Sequence, residues 1–86
     1  MPEICRFYGI VIRMFYNDHS PPHFHAEYGG RRAEVSIGAL RVTKGRLTPR
    51  AERMVLEWGR QHRDELEEAW GRVERRQAPG TISPLE

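Results

Sequence analysis

The sequence predicts an α+β domain: an antiparallel sheet of three or four strands, with one face covered by a long C-terminal helix. Three observations predict it. Residues 23–28 and 31–37 alternate apolar and polar with period two, after a run over 4–16 rich in β-branched and aromatic residues. Turn-forming clusters at 17–22 and at Gly29-Gly30 divide residues 4–43 into pieces joined tightly enough for antiparallel pairing. From Pro49 onward the apolar residues instead recur close to every 3.6 positions. A chain of 86 residues holds one small core, so a single domain over 1–76 with a flexible tail over 77–86 is expected.

The elements follow in order. Residues 4–16 are rich in β-branched and aromatic side chains and free of proline, which reads as one long strand. Ile4, Tyr8, Ile10, Ile12 and Met14 lie on its core face, and Phe7, Val11 and Phe15 on the other. The prolines at 21 and 22 end it, since proline cannot donate to a ladder. Residues 23–28 alternate cleanly, Phe24, Ala26 and Tyr28 against His23, His25 and Glu27. Gly29-Gly30 makes a two-residue hairpin turn, and 31–37 returns with Ala33, Val35 and Ile37 inward. A shorter run, 39–43, leads to a turn at Lys44-Gly45. Thr48 is a good N-cap and Pro49 suits the first helical position. The helical stripe then runs through Ala51, Met54, Val55, Trp58, Leu66, Ala69, Trp70 and Val73. Gly59 weakens it, which allows a break near 59–63 with Asp64 capping a second helix.

Hydrophobic residues are 38% and charged residues 30% of the chain, which excludes a disordered polymer. The size excludes a two-domain cofactor enzyme, and no apolar run approaches the ~20 residues of a membrane span. One cysteine, Cys5, allows no internal disulfide. With no signal-like start, the expected location is the cytoplasm. The net charge of +2 is unevenly spread: residues 31–63 carry nine bases against three acids, and 64–86 carry three against six. Thirteen of the fourteen bases are arginine. A basic middle of this kind suits nucleic acid or an acidic partner.

The chemistry concentrates in D-H-S-P-P-H-F-H-A-E, residues 18–27, which holds three of the four histidines. His23, His25 and Glu27, two apart on a strand, share a face with Cβ atoms about 6.5–7 Å apart. Two imidazoles and a carboxylate are the ligand set of a facial triad for zinc or iron, with His19 or Asp18 assisting from the turn. A second reading needs no cofactor. His23 and His25 serve as the acid–base pair of metal-independent RNA cleavage, with Arg32 stabilising the developing charge. Arg13, Arg32 and Arg41, brought to the same face by the alternation, then grip RNA or DNA phosphates. In a third reading the histidines only tie down the 17–25 turn of a non-catalytic, partner-binding protein.

The string D-H-S-P-P-H-F-H-A-E-Y, together with the later V-L-E-W-G-R-Q-H-R-D-E-L-E-E-A-W, resembles a family of small bacterial and archaeal proteins. That family is catalogued as a domain of unknown function and marked by D-H-x-P-P-H-F-H-A-x-Y. The resemblance spans residues 2 to about 73 and matches at Asp18, His19, Pro21, Pro22, His23, Phe24, His25, Ala26 and Tyr28. It implies one component of a toxin–antitoxin-type pair, partnered by the product of a neighbouring small gene, and it implies no catalytic residues. An open-edged sheet of this size also invites a homodimer.

Overall fold

The computed structural model describes residues 2–86. Five strands, β1 (Glu3–Phe7), β2 (Ile10–Arg13), β3 (His23–Tyr28), β4 (Arg31–Ser36) and β5 (Val42–Gly45), form one antiparallel meander in sequence order. Two helices follow, α1 (Pro49–Gln61) and α2 (Arg63–Glu74). The α+β class stands, with five strands in place of three or four and two helices in place of one.

The strand expected over 4–16 is a hairpin. Tyr8 and Gly9 both take positive φ, 50° and 82°, and fold the run into β1 and β2 with Phe7 opposite Ile10. A glycine reaches this conformation without the steric cost a Cβ brings. The turn resets the alternation. Phe7 is therefore buried with its ring 5.6 Å from Trp58, not on the open face, and Tyr8 is 57% exposed rather than in the core. β5 begins later than expected and runs through Lys44 and Gly45. The residues before it form a turn, in which Leu40 is buried at φ 51°.

The helical stripe breaks at His62, whose φ of −123° interrupts the helix. Its N–H is shared between the carbonyls of Trp58 and Gly59. Asp64 lies inside the first turn of α2 rather than capping it. Thr48 caps α1 as expected, accepting from the Ala51 N–H. Gly59 is there for packing: a Cβ at this position would lie 2.8 Å from Leu40 Cδ2. The core lies between the helices and one sheet face, with Ile4, Ile10, Ile12, Phe24, Val35, Val55, Trp58 and Leu66 all buried. The opposite face carries Arg6, Val11, Arg13, His25, Glu27, Arg32 and Glu34.

Residues 77–86 have no regular secondary structure but make specific contacts with the domain. The Ile82 N–H donates to Ile4 O, the Trp58 indole donates to Ser83 O at 2.8 Å, and Arg72 donates to Pro79 O. Ile82 joins the core, so the apolar body of Trp58 and its N–H are both satisfied.

Candidate metal centre

The turn between β2 and β3 builds the site. Asn17 takes φ 62°, a left-handed conformation asparagine tolerates well. Asp18 follows, and its Oδ1 accepts the His19 N–H at 2.9 Å. Pro22 O accepts from the Ile37 N–H, which ties the turn to the end of β4. The two prolines then deliver the chain into β3, where His23 and His25 fall on the same side. This leaves Asp18, five and seven residues back, aimed at both imidazoles.

Asp18 Oδ2 lies 2.9 Å from His23 Nε2 and 2.8 Å from His25 Nε2. His23 is only 3% exposed. Its ring sits 5.2 Å from Trp70 of α2, and His19 stacks on it at 4.7 Å and an interplanar angle of 25°. Phe15 meets His25 edge-on at 4.4 Å. A second carboxylate approaches from β4: Glu34 Oε1 is 3.8 Å from His23 Nε2 and 3.9 Å from His19 Nε2. Two overlapping triads result, Asp18/His23/His25 and His19/His23/Glu34, each with ligand atoms within 4.8 Å of one another and with His23 common to both.

His23 Nδ1 is 2.8 Å from Pro21 O. A carbonyl only accepts, so Nδ1 carries the proton and donates. In the neutral ring Nε2 then holds a lone pair, and it faces a carboxylate oxygen that also has only lone pairs to offer. That contact is stable only with positive charge between the two atoms, either a proton or a metal ion. A ligating histidine usually donates its other ring N–H to a carbonyl in this way, which fixes the tautomer and aims Nε2 at the metal. Burial pushes the Asp18 carboxyl up, but the hydrogen bond from His25, the His19 amide and the two neighbouring imidazoles outweigh it and hold the group below its ordinary range. It is an anion poised for a cation.

The expected site residues separate into two groups. His23 and His25 converge, and Asp18, expected only to assist, is the centre of the cluster. His19 reaches the rim, its Nδ1 against Ser20 O at 3.1 Å, with 57% of its side chain exposed. Glu27 does not join. It pairs across strands with Arg13 at 3.3 Å, two positions along β3 from His25. Arg13 sits in register with His25, and Arg32 with Glu27, both on the open face. Arg41 lies off the sheet, exposed in the turn before β5. Cys5 is buried, and that burial pushes its thiol up. Glu34 was missed as a site residue. A two-residue turn at Gly29-Gly30 pairs Tyr28 with Arg31 and therefore His25 with Glu34, so the signal was present in the hairpin register.

Beside the cluster opens a cleft of about 280 Å³, lined by His19, Ser20, Pro21, His23, Glu34, Ser36, Thr43 and Lys44. The arrangement offers a cation three ligands on one side and a space that other ligands can enter on the other. It suits metal-free ribonuclease chemistry less well. One imidazole of that pair is nearly inaccessible, and both are engaged by a single carboxylate oxygen.

A family model described as a domain of unknown function, DUF4160, matches residues 9–71, and the chain belongs to this family. No curated protein and no solved structure shows significant similarity to the chain. No helix among the described residues is long and apolar enough to cross a membrane.

Proposed function

We propose that this DUF4160 member is a metal-binding module whose ligands are His23 Nε2, His25 Nε2 and Asp18 Oδ2, holding zinc or iron. The observation that carries the reading is the contact between His23 Nε2 and Asp18 Oδ2 at 2.9 Å, with His23 Nδ1 already committed to Pro21 O. Two imidazoles and a carboxylate suit either ion, with further positions left for exogenous ligands. Bonds of about 2.0–2.2 Å need ligand atoms somewhat further apart than 2.8–2.9 Å, so loading opens the cluster by about half an ångström. The test is metal titration of the untagged chain, read by calorimetry and elemental analysis. One equivalent of Zn2+ or Fe2+ is expected, lost in His25→Ala. A wild-type chain that takes up neither ion defeats the reading.

The arginine-rich stretch 31–63 favours a second reading, contact with RNA or DNA as one half of a toxin–antitoxin-type pair. Arg13 and Arg32 supply phosphate contacts on the open face, and Arg41 does so from the neighbouring turn. Affinity for single-stranded RNA that falls steeply between 50 and 200 mM salt is the expected signature. Affinity indifferent to salt removes it.

A further inference from the structure

The cleft beside the cluster holds a carboxylate that the three-ligand set does not use, and its placement goes further than metal storage. Glu34 Oε1 stands 3.8 Å from His23 Nε2, outside the Asp18/His23/His25 set and on the wall of the cleft where a water on that ion would lie. Its side chain is 18% exposed, and among the described residues it makes no direct side-chain hydrogen bond. Salt-bridged carboxylates elsewhere in the chain have a partner at bonding distance, as Glu3 has in Arg6 and Glu68 in Arg72. Glu34 has only imidazoles, 3.8 and 3.9 Å away. Lys44, its register neighbour on β5, lines the same cleft and forms no salt bridge among the described residues.

From this geometry we infer that the centre is hydrolytic, with Glu34 as general base and a phosphodiester as the substrate seated in the cleft. The inference rests on the metal reading above. Glu34 takes a proton from the water, and the water oxygen forms the new bond to phosphorus. The P–O bond to the leaving alcohol breaks, and Glu34 returns the proton to that departing oxygen. The products are a phosphomonoester and an alcohol, with no oxidant or reductant involved. Lys44 meets the phosphate charge from the cleft wall. A metal held by His23, His25 and Asp18 would supply a nucleophile at neutral pH by acidifying a bound water.

The experiment compares wild type with Glu34→Gln, each as the untagged full chain loaded with Zn2+ or, anaerobically, Fe2+. The probes are bis(p-nitrophenyl) phosphate and fluorescently labelled single-stranded RNA and DNA. Metal stoichiometry is measured first. Equal metal content in both proteins, with turnover falling about 100-fold or more in the variant, is the expected result. Cleavage of the small diester alone assigns a low-molecular-weight phosphodiester, and cleavage of an oligonucleotide assigns a nucleic-acid backbone. Full metal loading with no turnover on any probe overturns the hydrolytic inference and leaves the metal centre standing. A wild-type chain that binds no metal overturns both. Loss of metal in Glu34→Gln makes Glu34 a ligand and overturns its role as base.

Discussion

The two ends of the open sheet face make an instructive pair. At one end His25 and Glu34 lie in register, and at the other Glu27 and Arg32 do, in the same two strands and the same hairpin. Both ends pair acidic with nitrogen-bearing side chains. Only the first becomes enclosed. There the 17–22 turn folds Asp18 and His19 against β3, and Trp70 of α2 reaches His23 from the helix layer. At the second end Arg13 and Glu27 meet at 3.3 Å with a quarter to a third of each side chain in water. Strand alternation gives both ends their residue types. Enclosure by a loop and a helix makes one of them a closed carboxylate–imidazole cluster and leaves the other a solvated ion pair.

The largest expected effect comes from breaking the enclosed end. Asp18→Ala removes the carboxylate that both imidazoles face and leaves His23 Nε2 buried without a partner, at a cost of about 1–3 kcal/mol. On the metal reading, the same variant is expected to lose stoichiometric metal. Denaturant melts and calorimetric titration measure the two effects separately, and unchanged stability would mean the cluster does not hold the turn.

Acid titration sharpens the contrast next. The folded-state value of Asp18 lies below its ordinary 3.8. Its contribution to stability is therefore complete above that ordinary value and disappears as pH falls through the lower folded one. Melting of the metal-free protein followed down the acid limb should be steeper in wild type than in Asp18→Asn. Coincident acid limbs would remove the carboxylate from the account.

The smallest effect belongs to the other end. Glu27→Gln separates Arg13 from its partner and should shift stability by under about 1 kcal/mol, as exposed pairs do. Metal uptake should stay unchanged. Loss of metal in this variant would restore Glu27 to the ligand set and erase the difference between the two ends.

Several of these features were legible in the chain itself. Alternation placed His23 and His25 on one face, because the strand period is two and nothing interrupts it between them. Thr48-Pro49 marked the start of α1, and Gly29-Gly30 marked the hairpin, because each is a local conformational preference. Gly9 was equally local but sat inside an apolar run. Treating 4–16 as one strand carried Phe7 to the wrong face and made the sheet a strand too short. Asp18, expected only to assist, lies nearer the two histidines than Glu27 does, because spacing along a strand says which residues share a face, not which ones a loop folds onto them.

By itself, then, the sequence determined the α+β class, the histidine pair, the hairpin register that sets Glu34 opposite His25, and the family. These depend on interactions between residues near in the chain, or on a turn of fixed length. Tertiary structure decided that Asp18 closes the cluster, that Arg41 leaves the face, that Trp70 covers His23, and that residues 79–83 are tethered to α2, β1 and α1. Each of those depends on where two separately specified elements meet in space. That meeting is fixed by how Trp58, Phe24, Leu66 and their neighbours fill one core, and no short stretch of the chain encodes it.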